Sequence, residues 1–403
     1  MNVGSTRGRT AELPLSSALL GGTAPDGGLF VPARFPWGEA RVPRGSSLAD
    51  SALAMLEPFF AGDALERELP AMVAEAFTFP APLVPLRNRG DFVVELFHGP
   101  TAAFKDFGAR FHAACVRRLH PPNGSTRIVL VATSGDTGAA VAAAFHRMPG
   151  VRVVLLYPDG RVSPRQAHQL GAFGDNVTAL RVAGSFDDCQ AMVKAAFADP
   201  RLLSLRLTSA NSISLGRLLP QLAFHAHAAW SSGTTLNLVV PTGNLGNALA
   251  AVWARELGAP IGNVVLATNA NQTLPEFFQG GAYRPRPSVP TLANAMDVGD
   301  PSNFERLVWT FPEPAVLRGH VRARSVSDEH ISRTIQQGER RHGRVFCPHT
   351  AAGVWLLEQI RSAPGGRIGT WAVAATAHPA KFESIVEPLV GHPVPVPAAL
   401  AEL

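Results

Sequence analysis

The chain is organised around one stretch, Leu96-Phe97-His98-Gly99-Pro100-Thr101-Ala102-Ala103-Phe104-Lys105-Asp106-Phe107. It holds one of only three lysines in 403 residues, the others being Lys194 and Lys381. A lysine amine can lose its proton and bond to a carbonyl carbon, whereas an arginine guanidinium stays charged. Lys105 lies in a predicted helix between two phenylalanines, and apolar neighbours favour its neutral amine. The stretch predicts amine chemistry, although an ordinary helix lysine that reaches solvent fits the local sequence equally well.

The composition indicates a globular enzyme with about two domains. Hydrophobic residues make up 46% of the chain and charged residues only 17%, which is typical of a well-packed interior. No apolar run approaches the roughly 20 residues that span a bilayer, and the N-terminus lacks the pattern of a secretory signal. The three cysteines are scattered and show no metal-binding or redox spacing. We therefore expect a cytoplasmic protein without a metal site or a membrane contact.

The net charge of +5 raises the question of nucleic-acid binding. The densest basic stretches are Arg318–Arg324 and Arg340–Arg344, and neither is interleaved with stacking aromatic residues. No helix-turn-helix, zinc-finger or RNA-binding signature accompanies them, so we expect no nucleic-acid partner. A positive excess also suits a small anionic substrate that is steered into a cleft.

Hydrophobic spacing and turn residues predict that the chain divides into three domains. The first eighty or so residues favour a mainly helical N-terminal cap, and strands alternate with helices from Phe92 onward, which is typical of an α/β fold with two parallel sheets. We place the domain boundaries at 1–82, 83–210 and 211–403. Among the later elements we predict single helices at Ile213–Trp230 and Val321–Arg341, a strand at Arg367–Ala374, and a loop near the cleft at Gly280–Asp300.

Three loops follow predicted strands at the sheet edge where ligands of parallel sheets bind. Thr133-Ser134-Gly135-Asp136-Thr137-Gly138 and Pro241-Thr242-Gly243-Asn244-Leu245-Gly246-Asn247 each lead into a predicted helix, whose free N–H groups can bind a carboxylate or a phosphate. Either loop alone could equally be a plain turn. Thr376 ends a third strand and offers one neutral hydroxyl. With Lys105, these loops predict a site for pyridoxal 5'-phosphate.

The motifs resemble those of the threonine synthase family, in its branch with a long N-terminal cap. The resemblance runs nearly end to end and is carried by these segments: Ser5-Thr6-Arg7-Gly8, Ala24-Pro25-Asp26-Gly27-Gly28-Leu29, Phe97-His98-Gly99-Pro100-Thr101, Phe104-Lys105-Asp106, residues 133–138, Asn211-Ser212-Ile213, Arg217-Leu218-Leu219-Pro220-Gln221, Pro241-Thr242-Gly243-Asn244, Ala267-Thr268-Asn269, Pro348-His349-Thr350-Ala351 and Thr376-Ala377-His378-Pro379-Ala380-Lys381-Phe382. Similar sequences often have Phe at position 245 and Asp at position 247, so the contacts of Leu245 and Asn247 with the cofactor are open.

The resemblance implies a pyridoxal-phosphate-dependent enzyme of fold type II, like the β subunit of tryptophan synthase, with the cofactor between two α/β domains. It implies a carbon–oxygen lyase that converts O-phospho-L-homoserine and water into L-threonine and phosphate. Lys105 would be the catalytic residue. The implied cofactor-binding residues are Lys105, Gly243, Asn244, Leu245, Gly246, Asn247, Thr376 and Asp136. The implied substrate-binding residues are Ser134, Gly135, Thr137, His98, Thr101, Asn211, Ser212 and Arg217. We interpret Lys381 as structural.

Two other functions are compatible with these residues. A related phospholyase would eliminate phosphate from a different amino-alcohol phosphate and release a keto product. A homologue that only binds a ligand would need none of the lysine chemistry, which makes it the more distant alternative. Similar enzymes with the long cap are often monomeric, so we expect a monomer.

Overall fold

The computed structural model describes residues 1–38, 40–41, 45–120, 126–366 and 368–402. Within these residues the strands form three sheets, each held by backbone hydrogen bonds. The strands are β1 (Asn2–Ser5), β2 (Leu13–Pro14), β3 (Phe30–Pro32), β4 (Leu83–Pro85), β5 (Asp91–Glu95), β6 (Arg127–Ala132), β7 (Val151–Pro158), β8 (Val177–Val182), β9 (Leu207–Ser209), β10 (Leu236–Pro241), β11 (Ile261–Thr268), β12 (Val321–Ser325) and β13 (Thr370–Ala375).

Helices cover the sheets and connect most of the strands. They are α1 (Leu15–Gly21), α2 (Leu48–Phe60), α3 (Leu69–Ala76), α4 (Lys105–Leu119), α5 (Asp136–Phe145), α6 (Pro164–Gly171), α7 (Phe186–Ala198), α8 (Leu215–Leu218), α9 (Gln221–Ser231), α10 (Gly246–Glu256), α11 (Thr273–Phe278), α12 (Phe304–Thr310), α13 (Pro314–His320), α14 (Asp328–His342), α15 (Pro348–Ser362), α16 (Glu383–Val390) and α17 (Ala398–Ala401). Short 3-10 turns occupy Glu66–Glu68, Pro200–Leu205, Asn294–Met296 and Pro379–Phe382.

The N-terminal cap contains a small antiparallel sheet, in the order β2-β1-β3, in addition to the helices α1 to α3. The cap is most helical over residues 48–76, where apolar side chains of α2 and α3 are buried at helical spacing, whereas residues 2–32 combine α1 with the small sheet. The cap packs on the rest of the chain through aromatic rings. Phe59 stacks on the fully buried Trp253 of α10, with 6.4 Å between the ring centroids, so the cap is part of the large core.

The largest sheet has the order β12-β11-β10-β13-β5-β4. All neighbours are parallel except β4, which pairs antiparallel with β5 at the edge. The parallel α/β class is therefore confirmed. Strand β5 pairs with β13, with Asp91 opposite Trp371, although these strands lie far apart in the chain. The expected boundary at 83–210 is therefore wrong for β4 and β5, which belong to the large sheet.

The smaller sheet has the order β8-β7-β6-β9 and is parallel throughout. It lies between Arg127 and Ser209, with α5, α6 and α7 among its connections. We propose that residues 127–209 form the small α/β domain, inserted into the larger one. The carboxyl ends of both sheets lead into the loops that face each other across the cleft described below.

Two predicted helices are each divided in the structure. The expected helix at Val321–Arg341 is wrong in its first part, because Val321–Ser325 is strand β12, parallel to β11, with buried and exposed residues alternating along Val321 to Arg324. The predicted helix at Ile213–Trp230 breaks into α8 and α9 before Gln221, at Pro220. The expected strand at Arg367–Ala374 is observed at Thr370–Ala375, and Arg367 itself lies outside the described residues.

Two features are absent from the described residues, a membrane-spanning helix and a metal-binding cluster. None of their helices combines the length and the apolar composition needed to cross a bilayer. They also hold no cluster of three or more His, Cys, Asp or Glu side chains that could bind a metal ion.

Candidate active site

A cavity of about 1290 Å³ opens between the two α/β domains. The loop after β6, the loop after β10 and the end of β13 meet at its walls, as expected for the carboxyl ends of parallel strands. The following predicted site residues line it: Lys105, Ser134, Asp136, Thr137, Asn211, Ser212, Arg217, Gly243, Asn244, Leu245, Gly246, Asn247 and Thr376. The expected loop at Gly280–Asp300 is confirmed near the cleft, because residues 294–298 form part of the same wall.

Lys105 is the first residue of α4 and points its amine into this cavity. Burial lowers the pKa of Lys105 to about 8; Asp136 opposes this shift, and the cations Arg217 and Lys381 add to it. A substantial fraction of the amine is therefore neutral near physiological pH. Such an amine can attack a carbonyl group and can carry a proton.

The loop after β10 forms an anion site at the start of α10. Leu245 adopts a left-handed backbone with φ of 63°, and α10 begins at the next residue, Gly246. The first turn of a helix leaves its N–H groups without partners inside the helix, so those of Gly246 and Asn247 are free for a phosphate. A Cβ added to Gly243 would lie 2.8 Å from Met296 Cα, which explains why a glycine is required there.

Asn247 supplies a further donor to the same site. His225 Nε2 donates to Asn247 Oδ1 at 2.7 Å, and it also lies 3.1 Å from the Asn247 carbonyl. This contact fixes the side-chain amide, and its Nδ2 group remains buried without a hydrogen-bond partner in the described structure. Burial lowers the pKa of His225 to about 4, so the ring is neutral. The unpaired Nδ2 group is suited to a phosphate oxygen.

The loop after β6 forms a second anion site. Thr133 Oγ1 accepts hydrogen bonds from the N–H groups of Gly135 at 3.0 Å and Gly138 at 2.8 Å, which fixes the turn. Helix α5 begins at Asp136, and its first two residues, Asp136 and Thr137, line the cleft together with Ser134, so their N–H groups are available there. Gly135 is buried behind the wall, where an added Cβ would lie 2.7 Å from the Gln166 amide. This site suits a carboxylate.

Arg217 brings an unpaired positive charge to the cleft. It is 2% exposed, and its Nη1 donates to the Ala210 carbonyl at 2.5 Å. Its Nε group has no partner among the described residues, and no ion pair with a carboxylate is formed there. Burial lowers the pKa of Arg217 to about 10, although the Asp106 charge opposes this shift, and the side chain stays charged. A buried guanidinium that makes no direct ion pair favours an anionic ligand.

Asn244 ties this anion site to the loop after β10. Its Nδ2 donates to Ser212 Oγ at 2.7 Å, and its carbonyl accepts from Asn303 Nδ2 at 2.9 Å. The fully buried Arg306 donates to Asn303 Oδ1 at 2.8 Å and to Phe30 O at 2.9 Å in the cap. The cap therefore helps to hold the two loops that are suited to phosphate.

Thr376 lies at the end of β13 and is buried in the cleft wall. Its carbonyl accepts a hydrogen bond from Phe104 N at 2.9 Å, which places this strand end directly beside the turn that carries Lys105. The two predicted features are thus brought together.

His98 and Thr101 do not line this cleft, so the structure does not bring them together with the other predicted site residues, and their assignment to the substrate stays a prediction. His98 lines a separate cavity on the other side of the turn, where its Nε2 lies 2.9 Å from Glu95 Oε2. Thr101 is fully buried and gives its hydroxyl to Asp106 Oδ1 at 2.6 Å. Both side chains make their hydrogen bonds within residues 95–106, around the turn that precedes Lys105.

Two residues in or beside the site were given no catalytic or binding role in the sequence interpretation above. His349 lines the cleft, and its Nε2 accepts from Ala295 N at 3.1 Å. Burial lowers the pKa of His349 to about 4, so the imidazole is neutral. Lys381, interpreted as structural, is fully buried and forms an ion pair with Asp136, 2.9 Å from Nζ to Oδ1. Both occur in motifs of the resemblance, which was the only available signal.

Comparisons with known proteins agree with this geometry. A family model for "Pyridoxal-phosphate dependent enzyme" matches residues 76–374, and a model for "Threonine synthase N terminus" matches residues 3–77. A threonine synthase from Serratia marcescens is 37% identical over 419 residues, covering 100% of this chain and 94% of the relative. The chain belongs to the threonine synthase family.

Solved structures of threonine synthases share the fold. The crystal structure of the Escherichia coli enzyme has a TM-score of 0.91 at 34% identity, and it covers 100% of this chain and 94% of that one. The pyridoxal-phosphate-bound threonine synthase from Brucella melitensis has a TM-score of 0.89 at 36% identity, with the same coverage. Fold type II and dependence on pyridoxal phosphate are therefore confirmed at the level of the family.

The cleft fits this cofactor. The buried Lys105 amine, the start of α10 with its free N–H groups and the unpaired Asn247 Nδ2 group all line the same cavity. Lys105 would bind the cofactor's aldehyde carbon, residues 243–247 would hold its phosphate, and Thr376 would face its ring nitrogen.

Proposed function

We propose that this member of the threonine synthase family converts O-phospho-L-homoserine and water into L-threonine and phosphate. The bond between Cγ and the phosphate oxygen breaks, and the oxygen of water bonds to Cβ. Protons leave Cα and Cβ, and protons return to Cγ and Cα. The conversion involves no net oxidation or reduction.

Pyridoxal phosphate, when bound, supplies an aldehyde that bonds to amines and an electron-withdrawing ring that makes the carbon beside the amino group acidic. Lys105 is the group that moves the proton at Cα, because its amine opens into the cleft and its pKa of about 8 lets it accept and return a proton near neutral pH. The neutral His349 ring is held by Ala295 N and keeps its position in the wall.

The substrate carries two anionic groups, and the cleft offers two places for them apart from the loop after β10. Its carboxylate suits the start of α5, at Ser134 and Thr137, with Gly135 shaping the turn behind them. Its phosphate suits Arg217, together with Asn211 and Ser212, because a guanidinium binds phosphate through two parallel hydrogen bonds. The Oδ1 atom of Asn211 is buried and unpaired in the described structure, whereas its Nδ2 group donates to Ala132 O.

One observation carries the proposal: the buried Lys105 amine faces three separate anion-binding elements in one cleft, whereas the second lysine of the lining, Lys194, is exposed. The cofactor phosphate, the substrate carboxylate and the substrate phosphate account for all three. A phosphorylated amino acid is therefore the best match to this cavity. A monomeric state and a cytoplasmic location remain predictions.

The test is to incubate the cofactor-loaded protein with O-phospho-L-homoserine and to measure phosphate and L-threonine. We expect the two products in equal amounts. Phosphate with a keto acid in place of threonine would show the alternative phospholyase reaction. Neither product, from protein that retains its cofactor, would contradict the substrate assignment.

A further inference from the structure

Lys381 links three parts of the active site. It follows β13 in the 3-10 turn Pro379–Phe382 and is fully buried. Its Nζ lies 2.9 Å from Asp136 Oδ1, at the first residue of α5 in the small domain. The same Nζ donates at 2.6 Å to the carbonyl of Thr101, in the turn that precedes Lys105. One side chain thus joins both α/β domains to the catalytic turn.

Asp136 stands where its charge conflicts with ligand binding. The start of α5 suits an anion, yet Asp136 places a carboxylate in its first turn. An isolated ionised carboxylate buried there would repel a second anion. Burial alone would raise the pKa of Asp136, but the positive charges of Lys381 and Lys105, together with the Gln166 hydrogen bond, hold it well below its usual range. The carboxylate is therefore ionised and needs its counter-ion.

Gln166 helps to hold the Asp136 carboxylate in place for its ion pair with Lys381. Its Nε2 donates to Asp136 Oδ1 at 3.0 Å. Its other side-chain atom, Oε1, accepts from Ser163 N at 3.1 Å in the cap of α6. Asp136 Oδ1 is thus held by two donors from different elements, Gln166 Nε2 of α6 and Lys381 Nζ of the 3-10 turn after β13.

We propose that Lys381 is a positioning residue that neutralises and fixes Asp136 opposite Lys105, so that the start of α5 accepts an anionic substrate group and the Lys105 amine stays available. The inference rests on the proposed function only for the identity of that anion. The effect of Lys381 on the protonation of Lys105 depends only on charged side chains of this protein and needs no ligand.

The charged and titratable groups around Lys105 give the direction of the effect. Asp136 favours the ammonium form of Lys105, whereas Lys381 and Arg217 disfavour it, and His349 is neutral. Removing Lys381 leaves Asp136 free to pair with Lys105, which raises the pKa of the amine. Removing the Asp136 charge as well cancels that change.

The fraction of neutral Lys105 amine can be measured in protein without cofactor, because only a neutral amine reacts with formaldehyde. The protein is reductively methylated, and the methylated lysines are quantified by mass spectrometry. The rate at Lys105 is divided by the rate at the exposed Lys194 in the same sample. We expect Lys381→Met to lower this ratio at pH 7 by about tenfold, since a charge at close range shifts a pKa by one unit or more. Adding Asp136→Asn should restore the ratio to within about threefold of the original, and Asp136→Asn alone should raise it.

A purely structural lysine would lower the melting temperature of the protein without moving the ratio. A ratio within twofold of the original in folded Lys381→Met protein would overturn the proposal. If that variant does not fold, Lys381→Gln, which keeps an N–H donor for Thr101 O, carries the same expectation. Because no substrate is used, the outcome is independent of whether threonine is formed.

A second readout uses the loaded enzyme and O-phospho-L-homoserine. We expect Lys381→Met to raise KM by about tenfold, as one unpaired charge opposes the substrate carboxylate, and Asp136→Asn to reverse much of that rise in the double variant. Lys381→Arg should retain more affinity than Lys381→Met. A double variant no better than Lys381→Met would contradict the role assigned to the Asp136 charge.

Discussion

Replacing Lys105 with alanine is expected to lower kcat by at least about 10³-fold, because general acid–base catalysis by a positioned amine contributes about 10²–10⁴-fold. The change also removes the amine to which the cofactor would bind, so the variant should hold pyridoxal phosphate only through its phosphate and ring contacts. Lys105 lies at the first position of α4 with its side chain in the cleft, and alanine favours a helix, so the fold should survive. The measurement is the rate of phosphate release under saturating substrate.

Arg333→Ala provides the matched control for this variant. Arg333 also carries a positive charge on a helix, but it is exposed and pairs with Glu329 away from the cleft. We expect its activity to equal that of the unmodified protein. A Lys105→Ala variant whose kcat falls less than tenfold would contradict the assignment of Lys105 as the catalytic residue.

Replacing Arg217 with methionine should lower kcat/KM for O-phospho-L-homoserine by about 10²-fold. A hydrogen bond to a charged group contributes about 1.5–3 kcal/mol, and Arg217 is the buried cation that faces the proposed phosphate position. Methionine keeps the length and the apolar stem of the side chain. The effect should be largest on KM, and inhibition by inorganic phosphate should weaken in parallel.

Arg318→Met is the control that distinguishes loss of phosphate binding from a general loss of stability. Arg318 donates to the Phe277 carbonyl at 2.9 Å and stacks over that ring, outside the cleft, so its loss should affect stability alone. Phosphate inhibition that is unchanged in Arg217→Met would show that the substrate phosphate binds elsewhere.

The parts of the site that the sequence predicted correctly follow from local rules. A glycine-containing loop between a buried strand and a helix marks an anion site, which is how residues 133–138 and 241–247 were found. Lys105 was conspicuous because lysine is so rare in this chain. These features depend on a few consecutive residues, and parallel strands bring their ends to one sheet edge regardless of the details between them.

Sequence interpretation is weakest where the structure depends on contacts outside the motif. His98 and Thr101 are close to Lys105 in the chain, but the Thr101 hydroxyl donates to Asp106 and the His98 ring lies beside Glu95, and neither side chain lines the cleft. Local spacing contains no information about which side of a turn a side chain will face. The ion pair between Lys381 and Asp136 was equally unpredictable from local sequence, because the two residues lie far apart in the chain and in different domains.

The domain boundaries show the same limit at a larger scale. Strand β5 immediately precedes the turn of Lys105, yet it pairs with β13 near the other end of the chain. Both strands are short buried runs, and hydrophobic patterning alone does not choose between possible neighbours in a parallel sheet. The alternation of strands and helices therefore predicted the fold class but not the division into sheets.

The most direct measurement locates the cofactor on the chain. The loaded protein is reduced with borohydride, which makes the bond between the cofactor and its lysine permanent, and the modified residue is identified by mass spectrometry. We expect the pyridoxyl mass on Lys105 in nearly every molecule. The same mass on Lys381 or Lys194, with Lys105 unmodified, would contradict the assignment of Lys105 as the amine that holds the cofactor in this cleft.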